Sequence, residues 1–316
     1  MSLRERLAQI PVINLIVAAL RRIKLSFLEG LSLYDLLELY AIGIFKGALT
    51  TRASAIAFSF FTAIFPFLLF VLVLIPYIPI ADFKTEFLLF LDSFLPPQTS
   101  EFFMVNIFEN LDNTERGGLL SSVFAIYIFL MANGVSAIFS GFEHSYHDVL
   151  TRTVFKQFLY ALGVALILAF LVIVTVAVFG YFQIYIIQPL YEQFDAAQNT
   201  GLSSNLFWVK FFKYLFFVIM LYIATATLYY FGTKEGRHSK FFSVGALFTT
   251  LLIILTSYLF GIYIENFSQY NKLYGSIGAL LILLFYLWLN ANILLLGYEL
   301  NATIRLLKRK NKTDVT

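Results

Sequence analysis

The chain has 316 residues, of which 60% are hydrophobic and 13% are charged, and its mean hydropathy is +0.82. Soluble domains carry about 25% charged residues, so this composition excludes an ordinary soluble domain and indicates an integral membrane protein. The absence of cysteine excludes disulfides, thiolate metal sites and cysteine nucleophiles, whereas the net charge of +3 matters less than its distribution.

Residues 1–52 are predicted to form an amphipathic region at the membrane surface. Apolar residues recur at helical spacing from Leu3 to Leu20, with basic residues at both ends. This pattern favours a helix lying on an anionic leaflet, and the alternative is a partly disordered basic tail. A second helix is expected from Ser32 to Thr50 and to lead straight into the first span, with Ser32 as its N-cap and Asp35 in the capping-box position.

Residues 53–301 are predicted to form a transmembrane domain of six helices. Each apolar stretch is nearly free of charge and reaches the 20 or so residues that a helix needs to cross the hydrocarbon core. Lipid offers no hydrogen-bond partners to the backbone, so each stretch is expected to be helical. The stretches are Ala53–Tyr77, Leu119–Ser140, Phe158–Ile187, Phe207–Phe231, Phe241–Ile264 and Ile277–Leu300.

The connection at about 80–118 is the longest segment outside the predicted spans. It contains seven acidic residues against Lys84 and Arg116, and two apolar patterns of helical spacing flank Pro96 and Pro97. We expect two short amphipathic helices that form an outer cap over the bundle. Its acidity favours a solvated cover for helix ends over a vestibule that attracts cations.

The basic residues predict the orientation. Seventeen of the 22 Lys and Arg residues fall on the side that holds both termini, including the basic tail 302–316. By the positive-inside rule both termini are expected to be cytoplasmic, in contact with anionic lipids of that leaflet.

Polar groups within the predicted spans are few. Pro66 lies in the middle of the first span and predicts a kink near Ala63. Asn290 and Asn292 lie deep in the sixth span, and Asn133 lies in the second. These amides are expected either to bond to neighbouring helices or to line a substrate route. The first interpretation is favoured for Asn290 and Asn292, because polar contacts between membrane helices are common, whereas Asn133 fits either.

Arg52 and Glu299 are expected to form an ion pair. Arg52 begins the first span and Glu299 ends the sixth, both near the cytoplasmic boundary. A carboxylate at that depth is costly unless it is paired or reaches water. We therefore predict that the two side chains contact each other and join the first and last helices, the alternative being two independent interfacial charges.

The turn before the sixth span combines capping and interfacial residues. Gly275 permits a tight turn, and Tyr274 places an amphipathic ring at the interface. Asn271 is expected to cap the turn and Ser276 to cap the sixth helix. Packing explains this segment without a ligand, although the turn would flank the outer mouth of a substrate route.

Three motifs together resemble the YihY / virulence factor BrkB family. The first span opens with RASAIAF at 52–58, followed by Ala63, Phe65 and Pro66. The last two spans are joined by YNKLYGSIGA at 270–279, and the sixth closes with LGYELNA at 296–302, which includes Asn301. The resemblance covers about 46–301 and implies six transmembrane helices in a bacterial inner membrane.

The same resemblance implies no settled activity, because some members have carried a ribonuclease label and others a transporter label. A nuclease needs a carboxylate cluster for metal ions or a histidine pair. His144 and His147 could share a helix face, but their segment is not H-E-x-x-H and lacks a third nearby histidine, so no metal site is predicted. No surface suited to nucleic acid is expected either.

The sequence therefore predicts an all-α protein of six transmembrane helices, with amphipathic N-terminal helices and a short helical outer cap. A transporter-like role for an amphiphilic or envelope-related solute is the leading hypothesis, because apolar walls with few charges suit such a cargo. A non-catalytic envelope scaffold is the alternative, and a membrane-bound hydrolase is the weakest. No catalytic residue, cofactor or nucleic-acid partner is predicted.

Overall fold

The computed structural model describes residues 32–46, 48–74, 122–143, 145, 152–182, 202–266 and 276–314, with isolated positions 20, 22, 85, 88, 89 and 186. The expected surface helix between Leu3 and Leu20 lies outside these residues, as does nearly all of the outer cap at 80–118. The turn residues Asn271, Tyr274 and Gly275 also lie outside them, together with His144 and His147.

Seven α-helices account for nearly all of the described residues, which contain no strand. They are α1 (Leu33–Lys46), α2 (Leu49–Leu74), α3 (Ser122–Glu143), α4 (Val154–Phe182), α5 (Leu202–Gly232), α6 (Val244–Asn266) and α7 (Ser276–Asp314). Helices α2 to α7 are each long and apolar enough to cross a membrane. The prediction of an all-α protein with six spans is confirmed.

The six spanning helices form a closed ring. Each packs against the next along the chain, and α7 packs back against α2, while α1 lies against α7 and α2. Chain neighbours run in opposite directions, so the start of α2, the ends of α3 and α5 and the starts of α4 and α6 meet at one end. We call this the basic end, because it holds Arg52, Arg152, Arg237 and Arg305.

Small residues allow the helices of the ring to approach closely. A Cβ added to Gly134 of α3 would lie 2.5 Å from the Cβ of Ala63 on α2. Without a hydrophobic force between helices in lipid, close van der Waals packing supplies much of the attraction. Alanines fill the same role elsewhere inside the ring, at positions 53, 57, 161, 165, 226 and 246.

Large apolar side chains cover the outside of the ring. Phe58, Phe129, Phe170, Phe212 and Tyr258 are all more than half exposed. In water such a surface would drive aggregation, whereas lipid tails solvate it. The fold therefore has an outer apolar surface for the bilayer and a separate inner one.

Two boundaries differ from the expected ones. The helix expected to run from Ser32 to Thr50 ends at Lys46, and α2 begins separately at Leu49. Ala48 between them has φ 46°, a left-handed conformation that costs a residue with a Cβ roughly 1–2 kcal/mol and cannot continue a right-handed helix. At the other end of the chain, α7 extends through residues 302–314 of the expected basic tail.

Candidate functional site

A buried ion pair joins the first and last spanning helices at the basic end. Arg52 Nη2 of α2 donates to Glu299 Oε1 of α7 at 2.6 Å. Glu299 is fully buried and Arg52 is 9% exposed. The contact that the sequence predicts is present, and it closes the ring between α2 and α7.

Two further bonds extend this pair to α3. Arg52 Nη1 donates to the carbonyl of Gly141 at 2.8 Å, and Ser145 Oγ donates to Glu299 Oε2 at 2.8 Å. Both carboxylate oxygens of Glu299 are thus bonded, which is what makes its burial affordable. Sequence reasoning missed Ser145, because nothing local in its segment shows that it reaches α7.

Tyr40 of α1 adds a neutral group beside the pair. Burial, and to a smaller extent the nearby Glu299 carboxylate, raises the pKa of Tyr40 from its ordinary 10 to about 12. The phenol therefore keeps its proton throughout the physiological range and adds no charge beside the ion pair.

Two stacked aromatic rings come from residues next in sequence to Gly141 and Glu299 of this network. The Tyr298 ring stacks on Phe142 with centroids 4.3 Å apart, and both side chains are fully buried. Tyr298 also bonds through its hydroxyl to Thr233 Oγ1 at 2.9 Å, and Arg305 Nη2 donates to the same hydroxyl at 3.2 Å. These contacts link α3, α7 and the segment that follows α5.

Asn301 caps a neighbouring helix. Its Oδ1 accepts from the backbone N–H of Gly245 at 2.8 Å, and its Nδ2 donates to Ser243 Oγ at 2.8 Å. Gly245 lies in the first turn of α6, where backbone N–H groups have no partner within the helix. Asn301 of the LGYELNA motif therefore caps the N-terminus of α6, although it lies far from that helix in the sequence.

A second arginine group lies near the start of α4. Arg152 Nη1 donates to the carbonyl of Phe231 at 2.6 Å, at the end of α5, and its guanidinium lies 4.3 Å from the centre of the Tyr160 ring. Burial lowers the pKa of Arg152, while Glu143 and Tyr160 favour its charged form and Arg237 opposes it. Arg237 Nη1 donates to Tyr160 Oη at 2.7 Å.

Between the spanning helices lies a cavity of about 350 Å³ to which all six of them contribute. Its lining is almost entirely apolar. The side chains that contribute include Ile56, Phe60, Met131, Val135, Ala165, Leu168, Ala224, Leu228, Ile253, Leu287, Ala291 and Leu294. The three polar members of the lining are Thr175, Thr225 and Asn290, and none of the lining residues carries a charge.

The three candidate asparagines have different positions. Asn290 lines the cavity, whereas Asn292 and Asn133 do not, and Asn133 is exposed on the outside of α3. The Nδ2 groups of Asn290 and Asn292 donate to the carbonyls of Tyr286 and Trp288, one turn earlier in α7, at 2.8 Å each. The expected amide bonds to neighbouring helices are therefore wrong for these two donors, because the helix's own carbonyls are closer.

Two other predicted residues lie within described helices. Pro66 is buried within α2, which continues through it to Leu74, so the expected kink near Ala63 stays a prediction. Ser276 is the first residue of α7, whereas an N-cap is the residue before the first helical one, so its capping role stays a prediction. Among the described residues, no three His, Asp or Glu side chains lie together where they could hold a metal ion.

Comparison with known proteins finds several relatives of this chain. A Bacillus subtilis protein named "Putative ribonuclease-like protein YfkH" is 28% identical to this chain, over 84% of this chain and 92% of its own length. A UPF0761 membrane protein of Aggregatibacter aphrophilus is 24% identical over 82% of this chain and 88% of its own. Another from Glaesserella parasuis is 23% identical over 62% of this chain and 64% of its own.

No solved structure matches the chain. The family model described as "Virulence factor BrkB" matches residues 45–315, which include all six spanning helices, the ion pair and the cavity. With the RASAIAF and LGYELNA motifs at the two members of the ion pair, this match establishes that the chain belongs to the virulence factor BrkB family of membrane proteins.

Proposed function

We propose that this protein is transporter-like and gives an amphiphilic or envelope-related solute a path through the bilayer. The observation that carries the proposal is the central cavity, because a ring of six helices around an apolar space differs from a solid bundle. A scaffold needs no such space, and close packing would make it more stable. The ion-pair network lies at the basic end of this space and would form its floor.

The polarity of the cavity supports an amphiphilic solute in particular. Its lining carries no charge, so an inorganic ion or a sugar phosphate would lose its hydration there without compensation. A hydrocarbon chain forms no hydrogen bonds with water, so it would lose none on entering the cavity. Transport of an amphiphile along these walls therefore costs less than transport of a hydrophilic solute.

We also propose that the protein lies in a bacterial inner membrane with both termini in the cytoplasm. The exposed cations Lys156, Lys234 and Lys240 belong to the basic end, where an anionic leaflet would attract them. A ribonuclease is not proposed: the relative's name is a statement about that relative, and an apolar cavity offers RNA no cationic track.

Reconstitution into vesicles tests the transport proposal. Vesicles would carry fluorescently labelled long-chain alcohols, fatty acids and lysolipids, and a membrane-impermeant quencher would report the rate at which each probe crosses. Wild-type protein should accelerate at least one probe over protein-free vesicles. Ala224→Phe and Ala291→Phe should slow that probe severalfold, because both place a ring in the cavity.

Ala55→Phe is the matched control, because Ala55 is exposed on α2 and its added ring would enter lipid. Size-exclusion profiles establish that all variants fold. If no probe crosses faster than in empty vesicles, or if the cavity variants transport as well as Ala55→Phe, the transport proposal is wrong and the scaffold is favoured.

A further inference from the structure

The polar groups of the cavity have almost no free hydrogen-bond donors. Thr175 Oγ1 donates to the carbonyl of Leu171 at 2.7 Å, and Thr225 Oγ1 donates to that of Leu221 at 2.9 Å. Both hydroxyl hydrogens are thus used within their own helices. One of the two Asn290 Nδ2 hydrogens is used in the same way, on the carbonyl of Tyr286.

The Asn290 Oδ1 atom is different. It is buried and has no hydrogen-bond partner among the described residues. A buried carbonyl oxygen without a partner is costly, so a donor that reached it from a molecule in the cavity would stabilise the complex. Asn290 precedes Glu299 by nine residues, which places this acceptor ~13 Å along α7 from the ion pair and near mid-membrane.

These groups define the chemistry that fits. A ligand at this depth meets apolar walls, one unused amide acceptor and no charged side chain among the lining residues. A charged headgroup would be unpaired there, and a headgroup with several hydroxyls would leave most of them unbonded. The cavity volume of about 350 Å³ is near the lower end of small-molecule pockets, which are ~300–1,000 Å³, so one chain suits it better than two.

We propose that the cavity binds an uncharged, single-chain lipid whose one hydrogen-bond donor bonds to Asn290 Oδ1. A long-chain alcohol or a protonated fatty acid has this chemistry. The inference deepens the proposed function and rests on it, since it names the solute class for the same cavity. Asn290 is then the residue that distinguishes a donor-bearing chain from a plain hydrocarbon.

Asn292 provides an unusually close control. It lies two residues away on the same helix, and its Nδ2 makes the same 2.8 Å bond to the carbonyl one turn earlier. It is not among the residues that line the cavity. Replacing either asparagine with leucine therefore removes the same intrahelical bond, but only Asn290→Leu removes an acceptor from the cavity.

The experiment compares 1-hexadecanol with its methyl ether, which has the same chain and oxygen but no donor. Each competes with tritiated hexadecanol for purified full-length protein in detergent. Wild-type protein should bind the alcohol ~3–10-fold more tightly than the ether, the usual net effect of one hydrogen bond. Asn292→Leu should keep this ratio, and Asn290→Leu should reduce it to about one.

The outcomes separate this inference from the proposed function. Equal binding of alcohol and ether by wild-type protein, or a ratio that survives Asn290→Leu, overturns the donor inference and leaves the cavity's transport role standing. If neither compound binds, and Ala224→Phe also leaves transport unchanged, the cavity role itself fails. Asn290→Ala repeats the comparison should the leucine variant not fold.

Discussion

At the residue scale, the Arg52–Glu299 pair is the most consequential feature of the basic end. The carboxylate is fully buried and bonded through both oxygens, to Arg52 and Ser145. A buried pair is weak proof of net stabilisation, since desolvation offsets much of the attraction. Removing one partner is a different matter, because the other charge is then buried without compensation.

Glu299→Gln should therefore destabilise the protein by about 3–5 kcal/mol, because Arg52 keeps its charge and loses its counter-ion. The double variant Arg52→Met, Glu299→Leu should cost less than the single one, since no buried charge remains. Unfolding in SDS titrations measures both. Lys240→Gln removes an exposed charge and should change stability by no more than about 0.5 kcal/mol. A Glu299→Gln protein as stable as this control would contradict the assignment.

Tyr40 predicts a dependence on alkaline pH. Its pKa is about 12 in the folded protein and about 10 when unfolded. Between these values only the unfolded phenol ionises, so the contribution of Tyr40 to stability is lost as pH rises from about 10. Thermal unfolding in detergent should show the wild-type midpoint falling relative to Tyr40→Phe between pH 10 and 12. Below pH 9 the difference should be constant, and a parallel course throughout would refute the prediction.

At the element scale, the crossing of α6 and α7 depends on two glycines. A Cβ on Gly245 would collide with the carbonyl of Gly297, and a Cβ on Gly297 would collide with Thr249 and lie 2.6 Å from the Tyr229 hydroxyl. That hydroxyl bonds to Thr249 Oγ1 at 2.6 Å and donates to the carbonyl of Leu294 at 2.7 Å. The backbones of α6 and α7 therefore approach closely at the same point where Tyr229 and Thr249 form their hydrogen bond.

Gly297→Ala should cost about 1–3 kcal/mol, because the helices must separate or the Tyr229–Thr249 bond must break. Gly163→Ala is the matched control within α4, since its Cβ would meet nothing within 4 Å. That change should be neutral or stabilise by up to about 1 kcal/mol through helix propensity. Comparable unfolding midpoints for the two alanine variants would show that the α6–α7 crossing tolerates a wider spacing.

At the scale of the whole molecule, the closed ring gives the chain two separate apolar surfaces. The outer one meets lipid and the inner one surrounds the cavity, and both have the composition of a membrane helix. Charge distinguishes the two ends, since Arg52, Arg152, Arg237 and Arg305 gather at one of them. This asymmetry predicts the orientation in the bilayer.

Cysteine labelling tests that orientation directly, because the natural chain has no cysteine. Lys240→Cys lies at the basic end and Thr85→Cys lies in the expected outer cap, and both side chains are exposed. In intact spheroplasts a membrane-impermeant maleimide should label Thr85→Cys alone, and Lys240→Cys only after permeabilisation. The reverse pattern would place the termini outside the cell.

The sequence by itself determined the six spans and indicated the Arg52–Glu299 contact, which the structure then confirmed. Hydropathy is a local property, and lipid forces any long apolar stretch to satisfy its backbone as a helix. Two opposite charges at the same membrane depth likewise have few other groups with which either could pair. The family motifs at residues 52–58 and 296–302 also belong to this local information.

Only the tertiary structure decided which polar residues act together. Asn290 and Asn292 are alike in sequence, yet one lines the cavity and the other does not. Asn301 caps α6 and Ser145 completes the carboxylate's bonds, although neither partner is near in sequence. These relations depend on how six helices rotate and pack around one space, and hydropathy along the chain does not specify that rotation.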